Sequence, residues 1–291
     1  MKPLRLSKSQ RFSEPALDVN RMPAPTFTAS PLPAESSEAT ACVRWSPGKH
    51  PLEIPYFGND FKCAMVFKRI LADFVWHSMR SLLRSRVTLS QVQTILAGQS
   101  VGGLAVSEVL TIWRFCAAAK RLTDLVRSHA FRLDRTTAQE LHNIAAGESH
   151  GSGAAKLSAP SDSGDTASDP LQRLDCDVCN PKERAIAAFP LLAGSRPFRT
   201  ANTRTALLMM NGTLMSSGYL PVFVLDKDSE AFLTELKRFL ENGDGDGLFT
   251  FFSSRATTLY QALPENELKP DPFPAKGLSG APEYSFFRLV K

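Results

Sequence analysis

The stretch Ser195–Gly212, SRPFRTANTRTALLMMNG, decides how this chain is read. A short polar segment runs to Asn202, and Ala206, Leu207, Met209, Met210 and Leu214 then recur at three- and four-residue intervals, the period of a helix. The pattern is a loop feeding a helix, with Asn202 placed to cap it and Gly218 placed to close it. Arg196, Arg199 and Arg204 crowd the N-terminal end, where unpaired backbone N–H groups and the helix dipole favour an anion.

Helical patterning extends on both sides of this stretch. FKCAMVFKRILADFVWHSMRSLL brings Phe61, Met65, Ile70, Phe74 and Val75 near one stripe, and SQVQTILAG stops at Gly98. VSEVLTIWRFCAAAKRLTDLVRS has Ser107 as its expected cap and reads as a helix buried on two sides, with Leu110, Trp113 and Phe115 inward. DRTTAQELHNIAAG, NPKERAIAAFPLLAG and DSEAFLTELKRFLENG supply further helices, and GYLPVFVL a short extended run. The fold class is therefore mainly α, a helical bundle with at most a short β-hairpin.

Composition sets the organisation. Residues 1–55 are rich in Pro and Ser and poor in clustered apolar side chains, so they are expected to form a disordered tail. A helical domain is expected over 56–260, interrupted by a Gly/Ser/Ala/Asp loop at 147–170, with a C-terminal extension at 261–291. Mean hydropathy is -0.14 and no apolar run approaches the roughly 20 residues a membrane helix needs. A cytoplasmic, soluble protein without a membrane partner is expected. The net charge of +5 is mild and its cations are scattered, which argues against a nucleic-acid partner. Five cysteines do not describe a disulfide framework.

Lesser motifs have plain explanations. Cys176 and Cys179 have C-x-x-C spacing, but no second pair follows to complete a zinc site. NGDGDG places Asn242, Asp244, Asp246 and Gly247 like the start of a calcium loop, but Ser253 stands where the bidentate Glu belongs. No metal ligands are assigned. His77, His129, His142 and His150 have no motif-matched partner and are read as structural or solvent-facing.

Arg196-Pro197-Phe198-Arg199-Thr200-Ala201-Asn202-Thr203-Arg204-Thr205-Ala206 resembles the core motif of Fic domain proteins of the Fic/Doc superfamily, H-P-F-x-[D/E]-G-N-[G/K]-R-T-[A/G]. The flanks NPKERAIAAFPLLAG and LLMMNGTLMSSGYLPVFV resemble that family's neighbouring helices. Upstream, FVWHSMRSLLRSRVTLSQVQTILAGQSVGG resembles the segment that carries an L-E-G-N pattern in relatives. The resemblance spans roughly residues 61–252. It implies a helical Fic fold, ATP as the nucleotide with Mg²⁺ between its phosphates, and transfer of AMP to a hydroxyl of a target protein. By position it assigns nucleotide binding to Arg196, Thr200, Ala201, Asn202, Thr203 and Arg204.

The departures from the pattern are chemical. Arg196 stands at the position of the family His, the general base, and a guanidinium keeps its proton above pH 12, so it cannot serve as one. Thr200 replaces the acidic residue that binds Mg²⁺, and a lone neutral hydroxyl is a poor ligand for a hard cation. Ala201 replaces the first motif Gly, Leu207 replaces a second phosphate-binding Arg, and Leu83 replaces the inhibitory Glu. These changes lead to an expectation of a divergent member, impaired or inactive in AMP transfer, that keeps a nucleotide or phosphate pocket. The rival expectation is a non-catalytic protein-interaction module, including one exported as an effector. The target protein and the oligomeric state are not specified by these residues.

Overall fold

The computed structural model describes residues 25–27, 41–46, 49, 51–147 and 170–261. Of the loop expected at 147–170 and the extension expected at 261–291, residues 148–169 and 262–291 lie outside these residues, as does most of the expected N-terminal tail.

Two helices form the centre. α7 (Pro181–Ser195) begins where Asn180 caps it, its Oδ1 accepting from the Lys182 N–H at 3.1 Å with Pro181 in the first turn. α8 (Asn202–Ser216) returns against it, and every residue from Thr205 to Met215 is buried. Such a helix has no polar face, so its polar side chains are satisfied by nearby backbone. Thr205 Oγ1 and Thr213 Oγ1 donate to the carbonyls of Ala201 and Met209 at 3.0 and 2.9 Å. Asn211 Nδ2 donates to the Leu207 carbonyl at 2.9 Å, while its Oδ1 accepts from the Val222 N–H at 2.7 Å. That last bond holds the extended run GYLPVFVL, whose Leu220, Val222, Phe223 and Val224 are buried without sheet pairing beyond a bridge from Tyr219 to Tyr56. At Gly212 the ring of Phe131 occupies the space a β-carbon would need.

The other helices surround this pair. α1 (Asp60–Arg69), α4 (Val106–Arg127) and α5 (Arg135–Ala146) pack on α8. α2 (Leu71–Leu83) and α3 (Leu89–Leu96) pack on α4, while α6 (Pro170–Asp177), α9 (Ser229–Asn242) and α10 (Asp246–Gln261) lie against α7. Aromatic rings fill the seams, Phe67, Phe74, Phe115 and Phe223 on one side and Phe189, Phe232, Phe251 and Phe252 on the other. The fold is mainly α. The strand pairing among the described residues is a three-residue parallel contact of β1 (Pro25–Phe27) with β2 (Ala41–Val43).

Several local expectations change. The first apolar stripe is two helices, because the chain breaks at Ile70 (φ -91°, ψ 11°). α4 starts at Val106 with Ala105 before it, so Ser107 sits inside the helix instead of capping it. In α4 only Phe115 of the expected trio is buried; Leu110 is 42 % and Trp113 53 % exposed. α6 and α10 have no counterpart in the sequence reading.

The N-terminal approach to α1 is packed as a strap. The Arg44 N–H donates to the Gly243 carbonyl at 2.9 Å, and the Gly245 N–H donates to the Arg44 carbonyl at 2.7 Å. Trp45 stacks on Phe249 with centroids 5.3 Å apart, and its Nε1 donates to Glu183 Oε2 at 3.1 Å. The Ser46 N–H and Oγ donate to the Asp246 carboxylate at 2.7 and 3.0 Å, and Leu52 and Ile54 belong to the core. The packed unit therefore begins upstream of residue 56. Among the described residues no helix is long and apolar enough to cross a membrane.

Candidate functional site

The loop 196–201 joins the C-terminus of α7 to the N-terminus of α8, and two left-handed residues set its path. Arg196 (φ 47°, ψ 58°) ends α7, its N–H donating to the Leu192 carbonyl at 3.2 Å. Ala201 (φ 57°, ψ 13°) occupies the N-cap position of α8, and its carbonyl accepts the Thr205 N–H at 2.9 Å. Arg84, after α2, is left-handed as well (φ 51°). Ala201 and Arg84 stand where the motif and the L-E-G-N pattern carry Gly, so both turns keep a glycine-like conformation with a β-carbon present. The strain is on the order of 1–2 kcal/mol at each.

Asn202 does not cap α8. It is the first helical residue and turns back into the loop, where its Oδ1 accepts from the Phe198 N–H at 2.9 Å and its Nδ2 donates to the Phe198 carbonyl at 2.7 Å. The reason is the torsion at Ala201, which hands the cap position to a residue without a polar side chain. Phe198 is buried and stacks on the buried His142 ring of α5, centroids 3.9 Å apart and planes within 5° of parallel. Loop, α5 and α8 are thus fastened through one side chain.

Arg204 points across to α5. Its Nη1 donates to the Ala145 carbonyl at 2.8 Å, and burial, with Arg114 nearby, pushes its pKa down to about 10. It stays protonated at neutral pH. Arg114 of α4 reaches the same helix end and donates from Nη1 to the Ala146 carbonyl at 3.1 Å. Both cations complement the negative end of the α5 dipole. Sequence reasoning missed Arg114. Its only signal is a charge between Trp113 and Phe115, the one charged residue in the stretch 109–119.

Arg196 and Thr203 are half-buried, while Arg199 and Thr200 are exposed. All six candidate residues therefore lie in one loop and one helical turn, and α5 and α4 add the Arg114 guanidinium and two carbonyls. Glu183 is not part of the site. It lies in the first turn of α7, thirteen residues from Arg196, which is roughly 20 Å at 1.5 Å per residue. Glu148 lies outside the described residues. Leu83 is exposed at the end of α2, at 44 %.

The lesser motifs resolve as structural features. Cys176 and Cys179 are free and exposed. Asp244 pairs with Arg238 at 2.6 Å and accepts from the Asp246 N–H at 3.1 Å, while Asp246 receives the strap. No group of three or more metal-binding side chains occurs among the described residues. The residues at the loop likewise lack a carboxylate that would fit Mg²⁺. His77 accepts the Asp226 N–H on Nδ1 at 3.1 Å, and His129 pairs with Asp60 at 2.5 Å.

Comparison with solved structures identifies this arrangement of helices. A fragment of Fic-1 from C. elegans superposes with a TM-score of 0.56 at 20% identity, covering 68% of this chain and 64% of that one. A single-substitution variant of the same fragment gives 0.55 over the same shares. A Fic domain containing signaling protein from Bacteroides thetaiotaomicron gives 0.51 at 14% identity, covering 72% of this chain and 87% of that one. No family model and no curated protein matches the sequence. The chain has the helical fold of Fic domains. It spans just under two thirds of the C. elegans chains that it matches.

Proposed function

We propose that this chain is a divergent Fic protein whose AMP-transfer chemistry is impaired or lost and whose loop 196–204 binds the phosphates of a nucleotide such as ATP. The observation that carries this reading is Arg196 at the end of α7. At the position of the family's general base stands a group that cannot accept a proton at working pH, yet suits phosphate oxygens well. The half-buried Arg204 and the first turn of α8 add to the positive potential there. Thr200 supplies no carboxylate, so nucleotide binding in this reading does not depend on Mg²⁺.

Calorimetric titration with ATP, with and without Mg²⁺, tests the reading. Micromolar binding is expected, insensitive to Mg²⁺ and weakened in Arg204→Ala by about 1.5–3 kcal/mol, the scale of a charged hydrogen bond. Transfer of AMP to a protein from Mg²⁺-ATP, abolished in Arg196→Ala, would overturn the impaired state. No heat from folded protein at millimolar ATP would overturn the pocket.

A second reading, a protein-interaction module, is supported by a different surface. On α4 the side chains of Val106, Leu110 and Trp113 form an exposed apolar stripe, Val106 being 75 % exposed. Beside it a hollow of about 320 Å³ is lined by Ile95, Gly98, Gln99, Ser100 and Val109. A patch of this kind on a soluble domain marks a contact surface. Retained partner binding without nucleotide binding would favour this reading, and it also accommodates delivery of the chain as an exported effector.

A further inference from the structure

We propose that Arg114, which lies outside the motif, is a ligand of the same anion site: Arg114 and Arg204 together clamp one phosphate group at the C-terminal end of α5. This deepens the nucleotide-binding reading above and rests on it for the location of the ligand.

The geometry is a convergence of three helices. α4 and α8 each deliver a guanidinium to the last turn of α5, Arg114 to the Ala146 carbonyl at 3.1 Å and Arg204 to the Ala145 carbonyl at 2.8 Å. Gly147, left-handed at φ 75°, lies directly under the Arg114 guanidinium, and a β-carbon there would collide with it. The glycine thus lets the cation sit against the helix end. Among the described residues neither arginine makes an ion pair, although Arg80, Arg121, Arg184, Arg238 and Arg255 all do. Two like charges are therefore held side by side, close enough for Arg114 to disfavour the charged form of Arg204.

The helix end offsets only part of this charge. A dipole terminus acts like about half an elementary charge, against two full positive ones. Each guanidinium has five N–H donors and gives one to a carbonyl in the bonds described. What remains is a pair of planar forks with net positive charge, which suits a multivalent oxyanion better than chloride. Phosphate, alone or in a polyphosphate chain, is that ligand. Leu207 stands where the motif's second arginine would be, so Arg114 restores from a different helix a cation that α8 no longer supplies.

The test titrates pyrophosphate and ATP separately into wild type, Arg204→Met and Arg114→Gln. The Gln side chain removes the charge and the guanidinium fork while keeping the apolar stem and an amide donor. At least tenfold weaker pyrophosphate and ATP binding in Arg114→Gln, with an unchanged melting temperature, is expected. ATP binding that depends on Arg204 but is untouched in Arg114→Gln would overturn the inference and leave the nucleotide reading standing. Pyrophosphate binding through both arginines, with ATP no tighter, would uphold the inference and overturn the nucleotide reading. No binding of either anion would overturn both. Should Arg114→Gln fail to fold, protection of Arg114 in the wild-type protein from phenylglyoxal by pyrophosphate gives the answer. Equal labelling with and without pyrophosphate would overturn the inference.

Discussion

Replacing Asn202 by Ala isolates the device that holds the loop. The side chain is 9 % exposed and makes two bonds to the backbone of a buried residue, at 2.9 Å to the Phe198 N–H and 2.7 Å to its carbonyl. Truncation leaves both Phe198 groups without that partner, and each buried unsatisfied group costs about 1–3 kcal/mol. Arg199 and Thr200 are exposed, so water can reach part of the vacated space and the lower half of the range applies. The expected loss is about 2–4 kcal/mol. For a unit of this size that lowers the melting temperature by roughly 4–16 °C, read by far-UV circular dichroism on heating, while urea titration reads the free energy itself. Asn202→Asp is the matched control. Its carboxylate still accepts the Phe198 N–H but opposes the Phe198 carbonyl, so it should be intermediate at neutral pH and recover as acid protonates it. A loss under about 0.5 kcal/mol in Asn202→Ala would refute the loop-clamp assignment.

Three further outcomes are expected. Gly212→Ala forces the Phe131 ring from its place and should cost about 1–3 kcal/mol by chemical denaturation. Trp45→Ala removes the stack on Phe249 and the donor to Glu183, with an expected loss of about 2–3 kcal/mol in the same assay. The third concerns acid. Burial lowers the pKa of His77, which faces Asp226, Arg80, Asp228 and Lys227. The folded state then binds fewer protons than the unfolded one between the lowered value and about 6.5, so stability is complete above that window and falls as pH drops through it. His77→Gln should flatten this slope in urea titrations from pH 7.5 to 5.

Much of the fold was legible because its helix boundaries are local chemistry. Asn180 and Pro181 start α7, Asp134 starts α5 with its side chain accepting from the Thr137 N–H, and Gly147, Gly218 and Gly243 stop helices in left-handed torsions. α10 escaped because NGDGDG ahead of it reads as a turn and its Phe, Thr and Ser are weak helix formers, although Leu248, Phe249, Phe251, Phe252 and Ala256 fall on one buried helical stripe. The role of Asn202 depends on the sign of one torsion at Ala201, and no residue count reports it. Trp45 escaped because its Pro/Ser-rich surroundings dilute the apolar signal. Arg114 is the clearest case at the site itself. It meets Arg204 only through the crossing of α4 and α8 over α5, ninety residues apart along the chain.

The strap also sets an order of events during synthesis. Trp45 meets Glu183 across 138 residues and Ser46 meets Asp246 across 200. At a ribosomal rate of about 5–20 residues per second, the segment carrying Trp45, Leu52 and Ile54 waits roughly 10–40 seconds for α10 to be made. In that interval its apolar side chains have no final resting place, and its docking belongs to the end of folding. Substitutions there should speed unfolding and leave the folding rate almost unchanged.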